Sequence, residues 1–164
     1  MTAWRRAKVT PDALFERLQA AWDDARHGRP MPHRQDIDAV KLGTLLPYVG
    51  LIDVIQGEHI DLRYRLVGDQ TTQSFGFNLT GHVHSQLSSG GHQPTLFYQA
   101  CQRCVATREP QTIEIANGRT PKDLPFQVTA RIWPLSDDGE KVTCLLGGAV
   151  FQTLEPASPE HDKS

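Results

Sequence analysis

The chain has 164 residues, 38% hydrophobic and 22% charged, with a formal net charge of -2. That length and apolar content fit one globular domain with a sizeable core, and the charge is too balanced to select a nucleic acid or an acidic membrane as partner. No apolar run approaches the ~18 residues of a membrane span, and the N-terminal MTAWRRAKVTPDALF has no apolar stretch behind its basic residues to act as an export signal, so a cytoplasmic protein is expected.

Taken in order, residues 1–10 read as an arm, 11–153 as one domain and 154–164 as a proline-rich, charged, disordered tail. Thr10 suits an N-cap, Pro11 a first helical residue and Asp12 the positive end of a helix dipole. Leu14, Leu18, Ala21, Trp22 and Ala25 then recur at helical spacing until Gly28 and Pro30 stop the helix, so 11–28 is an amphipathic helix. Its apolar stripe needs a surface, which is either the domain's own sheet or a second copy of the chain. Arg29 to Asp38 is a proline-rich connector, and Ile37, Val40, Leu42, Leu45 and Leu46 read as helical turns ended by Pro47.

The stretch Tyr48 to Gly68, which opens the core of the domain at 48–153, reads as a β-hairpin. Val49 to Ile55 is apolar at nearly every position, as in an interior strand covered on both faces. Ile60, Leu62, Tyr64 and Leu66 instead alternate with Asp61, Arg63, Arg65 and Val67, as in a strand near an edge. Gln56-Gly57-Glu58 supplies the reversal between them. Asp69 to Asn78 reads as short helical turns, Ser88 to Gly91 as a loop, and Pro94 as the start of a helix ended by Pro110. Three further strands, Thr112–Ala116, Phe126–Trp133 and Lys141–Thr153, are separated by Asn117-Gly118 and Asp137-Asp138-Gly139 as turns.

Several short motifs recur together: Pro32-His33-Arg34, Asp36-Ile37-Asp38, Leu45-Leu46-Pro47, Leu51-Ile52-Asp53-Val54, Arg63-Tyr64-Arg65-Leu66-Val67-Gly68 and Leu79-Thr80-Gly81. With them the chain resembles a bacterial family of stand-alone PAS-type domains over roughly Leu14 to Gln152. It departs from that family at Ala39, where a proline is expected. The resemblance implies an α+β fold: a five-stranded antiparallel sheet with helices on one face, inserted between the second and third strands. The strand patterns support the same fold independently, because the first and fifth strands read as two-faced and the others as one-sided, as the order 2-1-5-4-3 demands. The centre of the sheet's outer face then needs a cover, either the N-terminal helix or a partner subunit.

The resemblance also implies a pocket for a small molecule between the sheet and the helices, mainly apolar with a few directing polar groups. By strand parity and helix face, the candidate wall residues are Leu62, Tyr64, Phe75, Phe77, Phe97, Cys101, Val128, Ile132 and Leu146, with Tyr98 as a polar orienting group. Ordinary core packing is the competing role for each. Parity sends Gln127 and Arg131 to the other face. Asp53, in an apolar strand, needs a partner, and Arg63 or Arg65 on the adjacent arm can form with it either a structural ion pair or an outer-face polar patch that recognises a partner.

His82, His84 and His92 offer imidazoles that haem or a metal would use, but their spacing fits no zinc motif, and the helix after Pro94 carries no histidine. They are read as loop histidines, and no metal, haem or other cofactor is expected. Cys101 and Cys104 lie about two turns into their helix, on its apolar face, and so read as buried thiols rather than a redox pair. With Cys144 they make an odd, small set, which fits a reducing compartment. Neither a nucleophile elbow nor a phosphate loop is present. The expected function is a non-catalytic sensory or regulatory module that binds an unidentified small molecule, a signalling protein or both. A homodimer through the N-terminal helix or the sheet face is expected. The alternatives are a small α+β-barrel enzyme such as an isomerase, or a structural adaptor without a ligand.

Overall fold

The computed structural model describes residues 3–4, 9–87, 95–120 and 123–155. The loop expected at Ser88 to Gly91, together with His92 and Pro94, lies outside the described residues, as does the tail from residue 156. Five long antiparallel strands form one sheet: β2 (Val49–Ile55), β3 (Asp61–Val67), β4 (Gln111–Arg119), β5 (Pro125–Leu135) and β6 (Cys144–Glu155). Their spatial order is β3-β2-β6-β5-β4, which is 2-1-5-4-3 when these five are counted along the chain. A two-residue strand, β1 (Ala3–Trp4), pairs with Leu154 and Glu155, so β6 runs two residues past the expected boundary.

Helix α1 (Pro11–Arg26) begins where the sequence says it should, with Thr10 Oγ1 accepting from Ala13 N at 3.2 Å. Its stripe Leu14, Phe15, Leu18, Trp22 and Ala25 is buried against the chain's own sheet. Phe15 meets Trp133 edge-on, Trp22 Nε1 donates to the Pro134 carbonyl at 2.9 Å, and Trp133 Nε1 donates to Gln19 Oε1 at 2.8 Å. Burial of this kind stabilises by roughly 1.5–3 kcal/mol for each large apolar side chain. A Cβ on Gly148 would come within 2.4 Å of Leu18 Cδ1, so the bare backbone of β6 is what lets the helix settle this close. The stripe is therefore used within the chain, and a homodimer on that stripe would have to unpack it.

The connector is more broken than its apolar pattern suggests. Only one turn, α2 (Ala39–Leu42), is α-helical, and Gly43–Tyr48 follows as a 3-10 helix containing Pro47. One turn buries one position, so Leu42 is buried while Val40, expected on the same stripe, is 86% exposed. The chain then enters β2 in close contact with the end of β3: Gly68 N donates to the Val49 carbonyl at 2.9 Å. A Cβ on Gly68 would lie 2.3 Å from the Pro47 oxygen and 2.6 Å from that of Leu46. Leu45-Leu46-Pro47 and the strand end RYRLVG thus specify one contact between them.

Over the inner face lie α3 (Asp69–Phe75), the short α4 (His84–Leu87) and α5 (Leu96–Thr107), the last capped by Thr95 Oγ1 accepting from Tyr98 N at 3.1 Å. One expected turn is displaced. Asn117-Gly118 belongs to an irregularity inside β4, where the register shifts between Ile115 and Gly118, and the reversal comes at Thr120 to Leu124. The Phe126 ring explains it, since a Cβ on Gly118 would sit 2.3 Å from its Cζ: the glycine makes room for a ring rather than for a turn.

Candidate functional site

Between the inner sheet face and the helices is a cavity of about 740 Å³. Small side chains leave the space. Ala130 and Ala149 are register partners on β5 and β6, and Gly147, paired with Ile132, continues the same face. A Cβ at Gly147 would meet nothing closer than 3.8 Å. Around this floor stand Ile113, Ile115, Val128 and Ile132, and one end is aromatic, with Phe126 set against Phe75 at 6.0 Å and Phe151 at 5.3 Å between ring centroids. Leu66, Phe77, Leu87 and Leu96 line the cavity yet stay 36% to 59% exposed, and so form its rim.

The polar corner is at His84. Its Nδ1 lies 3.0 Å from the Tyr64 hydroxyl, and its ring stacks on Tyr98 at 5.5 Å, nearly parallel at 8°. Asp61 fixes α4 beneath it, with Oδ1 accepting from Ser85 N at 3.1 Å and Oδ2 from the Ser85 hydroxyl. The Tyr98 hydroxyl donates to the Ile60 carbonyl, which ties α5 to the hairpin loop. Burial pushes the Tyr64 hydroxyl well above the usual tyrosine range, so at neutral pH it is a neutral donor or acceptor.

Of the residues singled out from sequence, Tyr64, Phe75, Phe77, Phe97, Val128 and Ile132 come together on the cavity wall. Leu62, Tyr98 and Cys101 are buried in the core without lining it. Leu146 lies on the opposite face, as the register partner of Trp133 and two residues from the glycine under α1. Sequence reasoning missed Ala130, Gly147 and Ala149; for the last two the run Leu-Leu-Gly-Gly-Ala in β6 was the available signal. It also read His84 as a loop histidine, whereas the bridge between Val83 and Arg63 turns it onto the wall. His82 packs on Phe77 at 5.1 Å.

On the outer face, Arg65 Nε donates to both carboxylate oxygens of Asp53 at 3.0 and 2.9 Å, and Arg34 approaches to 3.7 Å. Arg63, the other candidate partner, is exposed on the edge strand. All three cysteines are buried free thiols, and burial pushes Cys104 up to about 12 and Cys144 to about 11. They stay protonated at neutral pH, and none lines the cavity. Among the described residues no three His, Cys, Asp or Glu side chains cluster as metal ligands. No helix of the described residues is long and apolar enough to cross a membrane.

A five-stranded antiparallel sheet in this order, with helices enclosing a cavity on one face, is a PAS-type fold. The chain belongs to the PAS domain family, whose model matches residues 7–150. Solved structures with some similarity include a light-oxygen-voltage domain studied with a flavin analogue, at 14% identity over 74% of this chain and 85% of that one, with a TM-score of 0.48. Another is the Rhodobacter sphaeroides LOV protein, at 10% identity over 87% of this chain and 68% of that one, with a TM-score of 0.49. A third is the blue-light photoreceptor Aureochrome1 LOV in its light state, at 10% identity over 77% and 94%, with a TM-score of 0.46. A search of curated proteins returned no match.

Proposed function

We propose that this PAS domain is a non-catalytic cytoplasmic module that binds a small molecule in the cavity and signals its occupancy through association with another protein. The observation that carries this reading is the hollow inner face. About 740 Å³ is within the range of pockets that hold drug-sized ligands, and it is walled by apolar side chains with one built polar corner. A structural adaptor would have Phe97 and Tyr64 packed into that space, and instead both border it. An isomerase-like enzyme would need a carboxylate or histidine on the wall: none of the described wall residues is Asp or Glu, and the one histidine among them, His84, is engaged with the Tyr64 hydroxyl and stacked on Tyr98. Since the α1 stripe is already covered, homodimerisation and partner contacts are assigned to the outer polar patch of Asp53, Arg65 and Arg34.

Native mass spectrometry of freshly purified protein, compared with its denatured mass, tests the reading. A non-covalent mass excess that is lost on denaturation is the expected result. A clean apo mass, together with no thermal shift across a set of apolar compounds, would defeat it.

A further inference from the structure

The chemistry of the wall narrows the ligand, and this step rests on the cavity being a binding site. Among the described wall residues the one permanently charged side chain is Arg131, and it belongs to the other face. Its guanidinium lies 5.6 Å over Phe15 and 5.9 Å over Trp133, and its Nε donates to Thr112 Oγ1 at 2.8 Å. An ionised ligand placed here would give up hydration with no opposite charge facing it among the described wall residues, which is the costliest form of burial.

One oxygen on a ligand, by contrast, has a prepared place. The Tyr64 hydroxyl can bond His84 and still take one further hydrogen bond, and Tyr98 and Asp61 hold the pair in position from behind. We infer that the cavity takes an uncharged, hydrocarbon-rich molecule carrying a hydroxyl or carbonyl oxygen that bonds the Tyr64–His84 pair. Its apolar body lies along Ala130, Gly147 and Ala149 toward the aromatic end.

The test uses the full chain and the neutral fluorescent probe N-phenyl-1-naphthylamine, displaced by 1-decanol, by decanoate at pH 8 or by flavin mononucleotide. The alcohol is expected to displace the probe at least about tenfold more tightly than the carboxylate. Tyr64→Phe is expected to weaken the alcohol about fivefold and leave the probe unchanged. Ala149→Phe, which fills the floor, is expected to abolish both, with circular dichroism confirming that it is folded. Tighter binding of decanoate or of flavin mononucleotide than of decanol would overturn the assignment of ligand class while leaving the cavity a binding site. Equal weakening of probe and alcohol by Tyr64→Phe would overturn the role of the hydroxyl. Probe binding equal in wild type and Ala149→Phe would place the probe outside the cavity and sink the underlying reading itself.

Discussion

On the outer face of the sheet Trp133 is fully buried under Phe15 and Gln19 of α1, and Gly148 brings Leu18 down onto the backbone. On the inner face of the same two strands, Ala130, Gly147 and Ala149 border a cavity of about 740 Å³. The adjacent glycines of β6 show how one strand does both. Gly148 removes a side chain so that a helix can come close, and Gly147 removes one so that nothing does. Close packing is the rule in protein interiors, and the inner face departs from it where the outer face keeps to it. The outer face is the packed side of these strands and the inner face the open one.

The largest expected effect tests that division directly. Trp133→Ala removes the ring on which α1 rests and is expected to cost about 3–5 kcal/mol, read from urea unfolding. Phe97→Ala on the cavity wall is expected to cost less than about 2 kcal/mol, because a side chain with open space on one side has fewer contacts to lose. Equal losses would show that the two faces are packed alike and remove the contrast.

A smaller loss is expected at the seam between the connector and the edge hairpin that walls the cavity. Gly68→Ala would drive a methyl into the Pro47 and Leu46 carbonyls, which are backbone and cannot swing aside. It is expected to lower stability by about 1–3 kcal/mol, measured by the same unfolding experiment. Ala at Gly147, where the nearest atom is 3.8 Å away, is expected to be tolerated. Third in size is Asp53→Ala. Its bidentate pair with Arg65 is half exposed on the arginine side, so less than about 1 kcal/mol is expected, shrinking further in high salt. Self-association, followed by analytical ultracentrifugation, is expected to weaken in the same variant, and unchanged self-association would show that the patch is not the interface.

The sheet was legible from the sequence because strands write their burial in a period of two. Val49 to Ile55 reads as two-faced and Asp61 to Val67 as one-sided, and these are the inner and edge positions they occupy. The cavity was legible only where large residues mark it, as at Tyr64, Phe75 and Ile132. Its floor was not, because empty space is made by Ala130, Gly147 and Ala149, whose small side chains interrupt a pattern rather than form one. Leu146 illustrates the cost: among apolar and glycine neighbours no alternation fixes which face it takes, and only pairing with Trp133 decides it. Glycine carried the same ambiguity at Asn117-Gly118, where a turn signal and the need to clear the Phe126 ring look identical in one dimension.

The smallest expected effect belongs to both faces at once. Between β5 and β6, Asp138 Oδ1 accepts from Glu140 N at 2.8 Å, from Lys141 N at 3.0 Å and from the Ser136 hydroxyl at 3.0 Å, and Gly139 takes φ of 82° to close the turn. These bonds, led by the backbone N–H of Glu140 and then that of Lys141, hold the carboxyl at about 2, below its ordinary 3.8. A carboxyl depressed in the folded state binds its proton more readily when the chain unfolds. Its stabilising contribution is therefore complete above pH 3.8 and fades as pH falls toward 2. Asp138→Asn is expected to lower stability slightly at pH 7 and to flatten the acid limb over that window, followed by thermal unfolding at stepped pH. Because the turn joins the two strands that present both faces, Trp133→Ala and Phe97→Ala are expected to keep the wild-type acid shift. If either variant changed it, the effect of that substitution would have reached the strands themselves, and its cost would no longer measure one face alone.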